Sequence, residues 1–296
     1  MNQRRLGRCL AVIFSVVLVF VSSLSNLQTK KQRPRIPILQ YHDGWVCVDK
    51  PSGITVHRGN GTPKHTAVLT TTVKRQLARK VFPVHRLDHR TSGAMLFAFD
   101  SETAGMLHDA AIREGRKKYI ALVRGEWTRG SDENEPFFIV DKPLEVKGIT
   151  KDAVTKFTPL GTTREETTND RCSLLLCEPL TGRTHQIRRH LFSIGHPIIG
   201  DSQHGDNAFN RWWRKHRSLN RLALHCWSID FELEGVLHEC LAPLSPNLKG
   251  VLERLPLWEE SLRSEPRLAL DPVDKIDGTH GRSYKRRRDS EGDSHK

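Results

Sequence analysis

One carboxylate in this chain stands among residues suited to chemistry. Asp88 lies in Pro83-Val84-His85-Arg86-Leu87-Asp88-His89-Arg90-Thr91-Ser92-Gly93, among cationic or polar neighbours and ahead of turn residues. The apolar run that follows, Ala94 to Phe99, reads as a buried strand. The acid is thus displayed on a loop at the mouth of a sheet, where a rigid scaffold can hold a reacting group. A plainer reading makes Asp88 a turn cap or a surface partner of Arg86 or Arg90, and this stretch alone favours it slightly.

A second stretch is Thr181-Gly182-Arg183-Thr184-His185-Gln186-Ile187-Arg188-Arg189-His190-Leu191. A turn at Thr181-Gly182 precedes a helix that Thr184 could cap. Ile187, Leu191 and Ile194 give that helix a core face. Arg183, Arg188 and Arg189 at its start can meet phosphates with guanidinium and backbone donors together. Arg211-Trp212-Trp213-Arg214-Lys215-His216-Arg217 interleaves cations with stacking faces. The two tryptophans fit a core equally well. Tyr119, with Lys117 and Lys118 before it, opens an apolar run to Gly125 that reads as a strand.

Other chemistries lack their residues. There is no glycine-rich phosphate loop, nucleophile elbow or dinucleotide fingerprint. Six cysteines form no Cys-x-x-Cys pair, and no histidine spacing resembles a zinc site, so neither a metal nor a disulfide framework is expected. Cys47, Cys177, Cys226 and Cys240 sit in or beside apolar runs and read as small buried hydrophobes.

Several elements must position these groups. Trp45 to Lys50 reads as a strand closing at the Pro51-Ser52-Gly53 turn. Leu69, Val73 and Leu77 predict an amphipathic helix over 66–80. Asp100 or Ser101 should cap a helix running to about Glu114 and stopping at Gly115. Val154 to Leu160 and Ser173 to Cys177 are expected strands, with polar loops over 128–136 and 161–170. Leu222 to Leu241 reads as a hairpin around Glu234-Gly235, followed by a short helix over 246–255. Strands outnumber helices without strict alternation, which predicts an α+β fold.

At 296 residues the chain can bury a sizeable core, and its net charge is +13. The first 42 residues hold seven cations and no acid, and the last 16 hold six cations against three acids. The body between them is nearly balanced, so RNA or DNA binding must rest on local clusters. Residues 9–24 form an apolar run behind Arg4, Arg5 and Arg8, the pattern of a secretory-type signal. The basic, acid-free 26–40 stretch behind it resembles a transit segment, so a plastid or mitochondrion is the expected location. A membrane anchor, a cytoplasmic protein or a mis-assigned start are the other readings. The expected organisation is a targeting segment over 1–38, a catalytic domain over 39–260 and a basic, disordered tail over 261–296.

Four blocks, in order, resemble the RluA family of pseudouridine synthases. They are His85-Arg86-Leu87-Asp88 with Thr91-Ser92-Gly93, Lys118 to Gly125, Thr181 to His190, and His196-Pro197-Ile198-Ile199-Gly200-Asp201. The likeness covers roughly residues 38–255. Lys50 to Gly53, Val56-His57-Arg58, Gly200 to Asp206 with Asn210-Arg211, and Arg221 to His225 are similar to a bacterial tRNA-modifying subgroup without an S4-type RNA-binding module.

The resemblance implies a mixed, largely antiparallel sheet with flanking helices and an RNA cleft across it. It implies conversion of uridine to pseudouridine in structured RNA, tRNA favoured, by a monomer that needs no cofactor or metal. Ribosomal or other organellar RNA is the rival substrate, and a non-catalytic RNA-binding protein on the same fold is the rival class. The implied catalytic residues are Asp88, Tyr119 and Arg188, with Arg188 pairing Asp88 across the cleft. Tyr119 would pack on the target base and is a candidate base for a sugar or C5 proton. Arg86 would fill the gap left by the flipped nucleotide. His85, Lys118, Arg183, His185, Arg189 and Arg211 are the expected further RNA contacts.

Overall fold

A computed structural model of the chain describes residues 35–59, 66–130, 136–164 and 170–271. Residues 1–35 and 36–296 separate into two units, and all that follows concerns the second. The signal-like run and most of the basic tail lie outside the described residues.

Ten strands build one sheet. They are β1 (Ile38–Tyr41), β2 (Trp45–Lys50), β3 (Phe82–Pro83), β4 (Ser92–Ala98), β5 (Arg116–Arg124), β6 (Phe138–Asp141), β9 (Val154–Thr162), β10 (Cys172–Pro179), β11 (Leu224–Leu233) and β12 (Val236–Leu241). The main order is β1-β2-β4-β11-β5-β10-β9-β6, with β3 on β4 and β12 on β11. A separate hairpin joins β7 (Leu144–Val146) to β8 (Ile149–Lys151). Every pairing is antiparallel except β4 with β11. The mixed, largely antiparallel sheet and flanking helices agree with the α+β expectation.

The parallel junction is short, with His225 opposite Ser92 and Cys226 opposite Gly93. Gly93 has φ +114°, and a Cβ there would collide with the Cys226 carbonyl. Only glycine permits this approach. The strands are stitched further by side chains. Arg221 donates to the Ser92 hydroxyl at 2.5 Å, and Ser92 meets His225 Nδ1 at 2.7 Å. His225 Nε2 meets the Ala242 carbonyl at 3.0 Å. Burial first, and the Arg221 charge with it, push His225 down to about 4, so the ring is neutral. Its proton then sits on Nε2, and Nδ1 accepts from Ser92.

The sheet carries two apolar cores. One joins Trp45, Val48, Leu69, Val73, Met95, Phe97 and Cys226. The other joins Leu122, Phe157, Leu174, Leu191, Trp213, Trp227 and Trp258. Tyr119 packs against both.

The helices are α1 (Leu69–Gln76), α2 (Ser101–Leu107), α3 (Gln186–Ser193), α4 (Asn207–Arg217), α5 (Pro246–Leu252) and α6 (Trp258–Ser264). The helix expected over 66–80 is shorter at both ends. Ala78 takes φ +50°, and a threonine-rich run has weak helix preference. The helix expected over 101–114 is α-helical only to Leu107 and continues as a π-helical turn from His108 to Glu114. Asp100 caps it through the Thr103 amide as expected. Thr184 caps nothing at α3. His185 takes the cap position in a left-handed conformation, and the side chain of Gln186 ties the turn instead. It accepts from Arg183 N and Thr181 Oγ and donates to Val154 O and Thr155 Oγ.

Ile36 is buried and exchanges two hydrogen bonds with the Gln76 side chain, so the body starts ahead of residue 39. The boundary expected at 260 falls inside α6, where Ser261 is buried against β9 and Leu268 beyond it is buried too. Trp213 is core, whereas Trp212 is partly buried and stacked on His216. Cys47, Cys177, Cys226 and Cys240 are buried thiols as expected.

Candidate active site

The Asp88 loop leaves the first core between β3 and β4. Its backbone is clamped from beneath. Lys50, fully buried at the end of β2, donates to the carbonyls of Thr91 (2.6 Å), Asp88 (3.1 Å), His89 (3.2 Å) and Pro51 (3.2 Å). Burial, with Arg221 next, lowers its pKa to about 7 against the pull of Asp88 and Asp49. Ser52 Oγ donates to the Arg90 carbonyl at 2.6 Å, and Gly53 N–H to that of His89 at 2.9 Å. The loop is therefore held by its main chain, which leaves the Asp88 side chain free to point outward, 29% exposed.

Arg188 arrives from α3, on the second core. Its Nε and Nη2 grip Asp201 at 2.7 and 2.8 Å, and Nη2 also reaches Gln203 at 2.9 Å. Nη1 donates to Asp88 Oδ2 at 3.0 Å. Arg188 thus pairs with Asp88 across the seam between the cores, as anticipated. Its guanidinium is 7% exposed, and Asp201 is 1% exposed. Burial opposes both charges. Arg188 and the backbone N–H groups of His204 and Gln203 nonetheless hold the Asp201 carboxyl below its usual range. Asp201 and Asp88 hold Arg188 above its usual value. The fork is fixed before any substrate arrives. It anchors one oxygen of Asp88 and leaves Oδ1 facing His185 Nε2 at 3.8 Å, beyond hydrogen-bond reach.

His185 meets His204 ring to ring, Nδ1 to Nε2, at 3.0 Å. Burial lowers the pKa of His185, and Asp88 opposes that. Tyr119 lies mid-sheet opposite Cys226 and Cys177. Burial, then Cys226 and Asp88, push its phenol well above its usual range. Its deprotonated form is thereby disfavoured.

The expected RNA contacts divide. Arg86 is exposed and makes no side-chain hydrogen bond or ion pair among the described residues. Arg211 is exposed likewise. Arg183 and Arg189 are half-committed, donating to the Asp152 and Glu145 carbonyls, each at 2.8 Å. Two of the expected contacts have partners within the protein. His85 turns inward, where Nε2 accepts the Leu96 amide at 3.2 Å, and burial with Lys117 drives it to about 3. It is neutral and offers phosphate no charge. Lys118 is bound to Asp230 at 2.8 Å, with both partly buried, so its charge is already matched. Arg90 bridges to Ser202 Oγ at 3.1 Å and keeps a structural role.

Composition pointed to neither Lys50 nor Asp201 as part of the site. Their signal was available. Lys50 is a cation at the end of an apolar strand, and Asp201 an acid behind the apolar Ile198-Ile199-Gly200.

Comparison with known proteins identifies the family. The profile of the RNA pseudouridylate synthase family matches residues 44–193. The tRNA pseudouridine synthase C of Vibrio cholerae serotype O1 is 37% identical over 238 residues, 75% of this chain and 96% of that protein. The protein of the same name from Salmonella typhi is 39% identical over 62% of this chain and 76% of its own length. Among solved structures, human RNA pseudouridylate synthase domain containing 4 superposes with a TM-score of 0.57 at 24% identity, covering 75% of this chain and 93% of that one. Human domain containing 1 gives 0.57 at 22%, covering 74% and 90%. Both share the fold. A profile on half the chain and relatives this similar make the chain a member of the RNA pseudouridylate synthase family, in its RluA-type branch.

Proposed function

We propose that this pseudouridine synthase acts on tRNA, with Asp88, Arg188 and Tyr119 as its working residues. The observation that carries the site is the chain Asp201–Arg188–Asp88, in which a buried carboxylate holds a guanidinium that holds an outward-facing acid. The tRNA substrate is supported by the names of relatives 34–39% identical.

The reaction is an isomerisation. The N1–C1′ bond of uridine breaks, the uracil turns, and C5 bonds to C1′. The C5 proton then leaves to solvent and N1 gains one, so no redox partner is needed. The target nucleotide must first leave its stack, at a cost of a few kcal/mol. Arg86, exposed beside the acid, is suited to fill the vacated space. Asp88 Oδ1 is placed to meet the sugar or base, and covalent attack at C1′ is one route open to it. Tyr119 supplies an apolar wall that keeps its proton.

Tritium release from 5-tritiated uridine tests the substrate. An unmodified tRNA transcript is expected to release it, and ribosomal RNA fragments are not. Release from ribosomal RNA alone would sink the tRNA reading.

The loop clamp makes a further expectation. Lys50→Met leaves the Asp88, His89 and Thr91 carbonyls without their donor, and a displacement of about 1 Å in a reacting group costs about 100-fold. We expect kcat to fall about that far while tRNA affinity changes little. An unchanged kcat would show that the loop holds its shape without the ammonium.

A further inference from the structure

Of the basic–aromatic stretch 211–217 only Arg211 was among the expected RNA contacts, and the structure gives the whole stretch a defined form. It is α4, whose inner side buries Phe209, Asn210 and Trp213. Arg211, Arg214, Lys215 and Ser218 are exposed. At 100° per residue Arg211, Arg214 and Lys215 fall within an arc of about 100° on the outer side, and Ser218 is the left-handed cap beyond the helix end. None of Arg211, Arg214 and Lys215 forms an ion pair among the described residues. Nearby cations are already matched. Arg217 at the end of the same helix holds Asp170 at 2.6 Å, and Arg124 holds Asp206 at 3.0 Å. The helix contains no acid to neutralise the remaining three.

The helix is also rigidly tied to the site. Its cap residue Asp206 accepts from the Ala208 and Phe209 amides. Asn210 donates to the Asp201 carbonyl at 2.8 Å and accepts from Gly200 N–H at 2.7 Å. Asp201 is the residue that holds Arg188. A group bound on the outer face of α4 therefore stands at a set place relative to Asp88, and the helix reaches about 16 Å away from its root. Trp212 stacks on His216 with centroids 4.7 Å apart, so that aromatic face is already partnered. The cations remain as point charges. Charges without base-reading groups recognise phosphate rather than sequence.

We propose that the outer face of α4 is a second RNA-binding surface, on which Arg211, Arg214 and Lys215 contact the phosphate backbone of the substrate outside the catalytic cleft. The proposal rests on the RNA-modifying reading given above. It assigns these residues to affinity and register, with no part in the chemical step.

The test uses the triple variant R211Q/R214Q/K215Q and an unmodified tRNA transcript. Dissociation constants are measured across a potassium chloride series. Each lost phosphate contact lowers the slope of log affinity against log salt by about 0.7–0.9, so the variant's slope should be shallower by about 2–3. Its Kd at about 50 mM salt should rise about tenfold or more, and the gap should close as salt increases. The tritium-release kcat at saturating RNA should equal that of the parent. Because cations in a last helical turn also favour the helix dipole, the melting temperature is followed too. The proposal needs affinity to change while melting stays within a few degrees. Lys74→Gln/Arg75→Gln, exposed cations on α1, is the comparison and should leave the slope alone. An unchanged slope in the triple variant, or the same change in the α1 variant, overturns the proposal. If the parent protein itself releases no tritium from RNA, the underlying reading fails instead, and the two failures are distinct.

Discussion

Asp88→Asn is expected to abolish tritium release from C5-labelled RNA while leaving RNA binding intact. The side chain is nearly isosteric, and the loop that carries it is held through backbone carbonyls by Lys50, Ser52 and Gly53. The fold of the loop does not depend on the carboxylate. What is lost is the anionic oxygen that faces outward. Removing an essential nucleophile typically costs about 10⁴-fold or more in kcat. Binding should hold within a few-fold, or tighten slightly, because one negative charge leaves a surface that meets phosphates. Retained turnover would remove Asp88 from the chemistry.

Arg188→Met should give the largest loss of stability among single changes at the site. Asp201 is 1% exposed and would keep only backbone donors and a severed partner. Breaking a buried ion pair from one side costs about 3–5 kcal/mol. For a body of this size that is roughly 10 °C in melting temperature. Activity should vanish as well, since Asp88 Oδ2 loses its donor. Arg188→Lys restores the charge but not the fork, and should recover little of either. The informative partner is Arg188→Met with Asp201→Leu. Apolar replacement of both charges should return most of the stability, because no buried charge is left alone. It should remain inactive. A double variant that turned over RNA would show that Arg188 serves the fold and not Asp88.

Parts of this organisation were legible without coordinates. Alternation and turn residues marked most strands, including the hairpin around Glu234-Gly235, because a pleated strand imposes its period locally. Asp88 and Arg188 were legible as a pair only through motif resemblance. Residue types near Asp88 leaned towards a surface turn. Length and register at element ends were less secure. The π-helical turn after α2 and the extent of α6 depend on packing against β11 and β9, which no local propensity encodes.

Basic residues of similar type have different surroundings in the fold. His85 accepts the Leu96 amide, Lys118 is matched by Asp230, and Arg86 makes no side-chain hydrogen bond or ion pair among the described residues. The sequence by itself determined the strand-rich composition, the displayed acid and the arginine-rich helix that answers it. The first follows from short-range periodicity and turn chemistry, and the pairing of acid and helix from the motif resemblance. Only the tertiary structure decided that β4 and β11 run parallel, that two cores meet at Tyr119, and that a lysine from β2 closes under the Asp88 loop. Those contacts join residues far apart in the chain. Which buried donor meets which carbonyl is settled by the packing of whole elements, each of which must hide one face and satisfy every polar group it hides.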